Sequence, residues 1–144
     1  MLHRTVGAVR WIIDAMNVIG SRPDGWWKDR HQAMVRLTRH LERWAAADGR
    51  DVTVVFERPP SPPIDSEVIA IGAAPRAGTN SADDEIIRMV HADRHPHHIT
   101  VVTSDSALLE RVREAGANTY PAKGFRDLIE APPAPGQGRV QSGR

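Results

Sequence analysis

Val52-Thr53-Val54-Val55-Phe56-Glu57 decides the fold. Five consecutive β-branched and aromatic residues, with no polar alternation, suit a strand covered on both faces, as in a parallel sheet. Glu57-Arg58-Pro59-Pro60-Ser61-Pro62-Pro63 follows and cannot continue regular structure, because proline lacks the amide donor and restricts its neighbour. Upstream, residues 9–13 (VRWII) read as a first strand ending at Asp14. Residues 27–47 read as a long helix, with Ala33, Leu37, Leu41 and Trp44 at three- and four-residue spacing and Asp48-Gly49 as its stop.

Downstream, residues 67–71 form a shorter strand, and Ser81 stands where an N-cap would open a helix carrying Ile86, Ile87, Met89 and Val90. Residues 98–103 form another buried strand. Ser104 or Asp105 caps a helix through Val112, ending at Glu114-Ala115-Gly116. Residues 118–120 read as a short strand and 125–130 as a last helix. The βαβ rhythm predicts a three-layer α/β/α domain with a central, mainly parallel sheet and right-handed crossovers. The domain runs over residues 7–130. A Pro- and Gly-rich tail, residues 131–144 (APPAPGQGRVQSGR), is too polar to pack and reads as flexible.

The chain has 144 residues, 19 Lys and Arg against 18 Asp and Glu, and no cysteine. That length fits one domain, which buries about 68% of its extended-chain surface and needs no staple. The missing cysteine excludes disulfides, thiol catalysis and cysteine-ligated zinc or iron–sulfur sites. The absence of any 18-residue apolar run or leader-like opening predicts a cytoplasmic protein without a membrane segment. A net charge of +1 argues against a strongly basic coat but allows a local basic rim around an acidic site. Nothing in the sequence sets an oligomeric state.

The acids fall in a pattern. Asp14 ends the first strand, Glu57 follows the second, Asp83 and Asp84 lie in the first turn of a helix, and Asp105 follows the strand ending at Val102-Thr103. Strand C-termini and the following helix N-termini share one edge of a parallel sheet, where open α/β sheets bind ligands. Asp83, Asp84 and Asp105 also suit helix starts without any ligand. Crowded carboxylates repel unless a cation neutralises them, and an all-oxygen donor set points to Mg²⁺ or Mn²⁺. Such ions engage phosphate oxygens and activate water, as in phosphodiester hydrolysis. On this reading Asp14, Asp83 and Asp105 hold the ion, Glu57 and Asp84 support it, and Asn17 with Thr103 or Ser104 positions phosphate or water.

The segment after Asp14 contains Arg22, Trp26, Trp27, Lys28 and Arg30, a combination able to stack a base and hold phosphates. Equally, Trp26 or Trp27 can staple the long helix to the sheet. Arg58 and Arg76, in loops on the same edge, would extend a phosphate track. His91, His95, His97 and His98 lie where a helix passes into a strand, on the opposite edge, and read as solvated loop histidines.

Five stretches together resemble the NYN branch of the PIN-like nucleases, particularly the small bacterial YacP-like proteins: IIDAMNVIGS at 12–21, VVFE at 54–57, GTNSADDEI at 78–86, VVTSD at 101–105 and REAGA at 113–117. The resemblance implies a small parallel-sheet fold, RNA as partner, and RNA cleavage supported by Mg²⁺ or Mn²⁺, with some members acting on ribosome-associated RNA. It assigns the opening acid to Asp14, its polar companion to Asn17, the acid of the alanine–aspartate motif to Asp83 and the acid after the fourth strand to Asp105. Two positions depart from the pattern. Glu57 stands where an aspartate is usual, and Ile87 stands where a further acid is frequent. A catalytically weak RNA-binding or ribosome-associated module on the same fold is therefore the competing reading. A haloacid-dehalogenase-like phosphatase is disfavoured because Met16 occupies the position of its second aspartate.

Overall fold

A computed structural model of the chain describes residues 9–75 and 81–131. Gly7, Arg76, residues 78–80 of the helix motif and residues 132–144 of the tail lie outside the described residues.

The elements run β1 (Arg10–Asp14), α1 (Ala15–Ile19), α2 (Arg30–Asp48), β2 (Asp51–Phe56), β3 (Ala70–Ala73), α3 (Ser81–Ala92), β4 (Ile99–Val102), α4 (Ser106–Glu114), β5 (Asn118–Tyr120) and α5 (Ala122–Glu130). All five strands pair in parallel, in the order β3-β2-β1-β4-β5. Strand order reverses between β1 and β4, so the C-terminal ends of those two strands flank the switch-point crevice of an open α/β sheet. Asp14 closes β1 there, and Thr103-Ser104-Asp105 leaves β4 there.

The three layers follow from side-chain alternation along the strands. Ile13, Val54, Phe56 and Val102 face a core completed by Val18 of α1, Leu37 and Leu41 of α2, and Phe125 and Ile129 of α5. Ile12, Val55 and Val101 face a second core with Ile86 and Val90 of α3 and Leu108 and Val112 of α4. A strand with cores on both faces has no polar side, which is why β2 reads as an uninterrupted apolar run. Trp11, Trp44 and Phe125 lock the first core, with ring centroids 5.0 Å (Trp11–Trp44) and 5.1 Å (Trp44–Phe125) apart in edge-on geometry.

Four of the differences from the expected boundaries have a clear local reason. The long helix does not begin at Trp27: Trp26–Lys28 is a separate 3-10 turn, and Asp29 then caps α2 by accepting from the Gln32 N–H at 3.0 Å. Gly49, in the left-handed region at φ 63°, ends α2 as anticipated. Strand β3 begins at Ala70 because Ser66 Oγ accepts from the Val68 and Ile69 N–H groups and holds that stretch in a turn. Ser81 is the first residue of α3 rather than its cap, and its hydroxyl donates to the Glu57 carbonyl at 3.0 Å. Helix α5 starts a turn early, at Ala122, whose N–H donates to Ser104 Oγ at 2.9 Å.

Candidate active site

Asp14, Met16, Asn17, Glu57, Ser81, Ala82, Asp83 and Asp105 line one open cleft of about 290 Å³ at the switch-point edge. Each carboxylate arrives differently. Asp14 stands at the start of α1, where it makes no full capping hydrogen bond. Its Oδ2 instead accepts from the Thr103 hydroxyl at 2.9 Å, from the adjacent strand, and only 6% of the residue is exposed. Asp83 is 9% exposed, on the first turn of α3. Among the described residues no hydrogen bond reaches its carboxylate. Asp105 does two things at once: it lines the cleft and caps α4 by accepting from the Leu108 N–H at 3.0 Å.

The electrostatics follow from this geometry. Burial raises Asp14 from 3.8 to about 6; the Thr103 bond opposes that, Asp83 and Asp105 add to it, and the Asn17 N–H lends a minor stabilisation of the ionised form. Asp83 is also raised, first by burial and then by Asp105, with Arg111 opposing. Buried carboxyls raised beside a third acid in one cleft are a functional-site signature with a physical cause.

Several polar groups expected at the substrate are engaged with the protein. Thr103 Oγ1 is fully buried, donates to Asp14 and accepts from the Asp105 N–H at 3.1 Å. It orients the acids rather than facing a phosphate. Asn17 Oδ1 accepts from the Ser104 N–H at 2.7 Å, while Ser104 Oγ holds the start of α5. These bonds clamp α1, the β4–α4 turn and α5 around the cleft. Asp84, next to Asp83, turns away from the cleft: its exposed carboxylate takes Arg111 Nη1 at 3.0 Å. Ile87 is packed in the second core, so the family's further acid has no counterpart at that position.

The basic rim is smaller than the sequence suggested. Arg22 is held by Glu130 at 2.5 Å and by Asp127, both on α5. Arg30 pairs with Glu57 at 2.6 Å and lies over the Trp26 ring, 5.3 Å from its centroid. Trp26 packs against the first core, whereas Trp27 is 53% exposed and meets Trp26 edge-on at 5.9 Å. Lys28 and Arg58 are exposed and have no ion-pair partner among the described residues. Beyond Glu57 a second cleft of about 340 Å³ is lined by Arg30, His31, Met34, Arg58 and the Pro59-Pro60-Ser61 loop. Arg126, which the sequence did not single out, is buried and ties α5 to the segment after α1, donating to the Ile19 carbonyl at 2.8 Å and pairing with Asp24 and Glu130. A buried arginine can be anticipated only by knowing which carboxylates face it.

Among the described residues, the one group of three or more His, Asp or Glu whose ligand atoms lie within 4.8 Å of one another is His95, His97 and His98, at the far edge of the sheet. The cleft carboxylates stand further apart, Asp14 held by Thr103 and Asp105 by its cap of α4. No helix among the described residues is long and apolar enough to cross a membrane.

The parallel sheet, its two helical layers and the acid-lined switch point define a PIN-like α/β domain. The sequence profile of the YacP-like NYN domain matches residues 11–141, and the chain belongs to that family. The fold is shared with the crystal structure of Rae1 (YacP) from Bacillus subtilis, at a TM-score of 0.70 and 20% identity over 84% of this chain and 73% of that one. The W164L mutant of the same protein superposes at a TM-score of 0.64 and 20% identity, over 85% and 77% of the two chains. No curated relative matches the chain in sequence.

Proposed function

We propose that this chain is a divalent-metal-dependent endoribonuclease in which Asp14, Asp83 and Asp105 hold Mg²⁺ or Mn²⁺. Membership of the YacP-like NYN family supports an RNA-related hydrolytic activity. The observation that carries the finer reading is the unneutralised carboxyl set. Asp14 and Asp83 are buried in one cleft with Asp105, burial and the neighbouring acids raise the proton affinity of both, and Asp83 accepts no hydrogen bond among the described residues. Burying such groups is costly unless a cation balances them, and oxygen donors alone suit a hard ion.

When bound, the ion would supply Lewis acidity to a phosphodiester and a more acidic water. The chain's own residues supply placement. Thr103 orients Asp14, Asn17 fixes the turn that carries Asp105, and the exposed Trp27, Lys28 and Arg58 offer stacking and charge to single-stranded RNA. On this reading the cleft of about 340 Å³ beside Glu57 would take a flanking nucleotide. Glu57 itself is half-exposed, paired with Arg30 and shared by the walls of both clefts, so on this reading it stands between them rather than serving as a fourth ligand. RNA, including ribosome-associated RNA, is the partner class this reading implies.

Cleavage of structured and single-stranded RNA with Mn²⁺, Mg²⁺ or EDTA tests it, comparing the native chain with Asp14→Asn, Asp105→Asn and Glu57→Gln. Metal-independent cleavage, or full activity without Asp14 and Asp105, overturns the assignment. The competing reading, an RNA-binding module of weak activity, draws on two observations: Ile87 is buried where a further acid is frequent, and Glu57 is neutralised by Arg30. RNA binding without turnover in Mn²⁺ selects it.

A further inference from the structure

The histidines between α3 and β4 are brought together in a way that helix geometry alone does not provide. Residues i and i+2 of an α-helix point about 200° apart, so His95 and His97 would face away from each other there. Pro96–His98 instead forms a 3-10 turn with His95 immediately before it. The turn closes with the His98 N–H donating to the His95 carbonyl at 2.9 Å. One ring nitrogen from each of His95, His97 and His98 then lies within 4.8 Å of the other two. The centroids of His97 and His98 are 4.2 Å apart, and those of His95 and His98 are 5.4 Å apart.

The backbone under these rings is pinned from both sides. The His95 N–H donates to Asp93 Oδ1 at 2.8 Å, and the side chain of Asp93, only 4% exposed, pairs with Arg10 of β1 at 3.2 Å. From the other side, Asn118 Nδ2 of β5 donates to the His97 carbonyl at 3.1 Å. His95 and His97 remain exposed, and His98 is half-buried. A fixed backbone turn beneath the three rings lowers the ordering cost of binding an ion.

We propose that His95, His97 and His98 form a second metal site, selective for a late first-row divalent ion of the Zn²⁺ type. Ligands about 2.0–2.1 Å from a tetrahedral Zn²⁺ stand roughly 3.4 Å apart. The ligand atoms, already within 4.8 Å of one another, need approach by no more than about 1.4 Å to reach that spacing. Three imidazole nitrogens favour Zn²⁺ and its neighbours over Mg²⁺ or Mn²⁺. The fourth position would face solvent. The ion would brace the α3–β4 connection, and this site does not depend on the ribonuclease reading.

The test is calorimetric titration of ZnCl₂ into the untagged chain in excess MgCl₂, repeated with the D14N/D105N double variant. Expected is a saturable site of one Zn²⁺ per chain that persists in D14N/D105N. Its affinity should fall at least tenfold in each of H95Q, H97Q and H98Q and stay unchanged in H40Q. Unaltered circular dichroism of the three histidine variants confirms that they fold. The proposal is overturned by absent saturable binding, by binding that survives H95Q/H97Q/H98Q or disappears in D14N/D105N, or by single-variant losses below tenfold, which would mark independent surface imidazoles.

Discussion

The Thr103 hydroxyl joins the two acids at the switch point: it donates to Asp14 Oδ2 at 2.9 Å and accepts from the Asp105 N–H at 3.1 Å. One fully buried side chain thus sets the orientation of both carboxyl-bearing residues. A hydrogen bond to a charged group contributes about 1.5–3 kcal/mol. Its loss should raise the proton affinity of Asp14 further, because the bond favours the ionised form. In Thr103→Val the acid limb of the Mn²⁺-dependent cleavage profile should move to higher pH by about one unit, and Thr103→Ser should restore it. A pH–rate profile identical in Thr103→Val and the native chain would contradict the positioning role.

Stability in EDTA should fall as pH rises through the window set by Asp14. Its carboxyl titrates near 3.8 when unfolded and at about 6 when folded. Below 3.8 both states are protonated and no penalty exists; between the two values the native state binds more protons, so stability declines; above 6 the penalty is complete. Two units correspond to about 3 kcal/mol, and the raised Asp83 acts in the same direction. Relative to the native chain, Asp14→Asn should therefore gain up to about 3 kcal/mol between pH 4 and pH 7 in EDTA. Saturating Mn²⁺ should stabilise the native chain and leave Asp14→Asn unmoved. Urea unfolding at the two pH values, with and without the ion, reads both effects. A native chain indifferent to Mn²⁺ counts against the carboxyl site.

Neighbouring acids on α3 should differ sharply in consequence. Asp84 faces Arg111 in an exposed ion pair, which is worth at most about 1 kcal/mol. Asp84→Asn should leave RNA cleavage within about twofold and stability nearly unchanged. Supplying the family's further acid as Ile87→Asp should not add a ligand, since Ile87 is buried among apolar side chains. It should cost roughly 3 kcal/mol or more, measurable by chemical denaturation. Increased cleavage in a stably folded Ile87→Asp would show that α3 can rotate that position into the cleft.

The contrast between Asp83 and Asp84 also marks how far the sequence can be read. Strand β2 was legible because a strand covered on both faces must be apolar throughout, and the acids were legible because parallel strands share a C-terminal edge. Helix α1 was not, since five residues are too few to display a helical period. The direction of Asp84 depends on Arg111, 27 positions away. Removal of Arg22 from the phosphate track depends on Asp127 and Glu130, more than 100 positions away on α5. Asp105 was ambiguous between cap and cleft, and it serves both. The histidines, scattered for an α-helix, meet only because Pro96 opens a 3-10 turn.

Adjacent tryptophans provide the last separation of roles. Trp26 packs on the first core and carries Arg30 over its ring, so it links the fold to the Arg30–Glu57 pair. Trp27 is the more exposed ring, on the same 3-10 turn as Lys28. Base stacking on an aromatic contributes about 1–3 kcal/mol per base. Trp27→Ala should weaken single-stranded RNA binding by roughly 5- to 100-fold while leaving the unfolding midpoint in place. Trp26→Ala should lower stability by about 2–3 kcal/mol, because it empties volume at the core margin, and should loosen Arg30 from Glu57. Fluorescence titration with a short oligoribonucleotide, beside urea unfolding of each variant, separates the two. If Trp27→Ala binds RNA as the native chain does, the stacking platform is elsewhere on the rim, and Arg58 with the cleft beside Glu57 must carry the single-stranded contact alone.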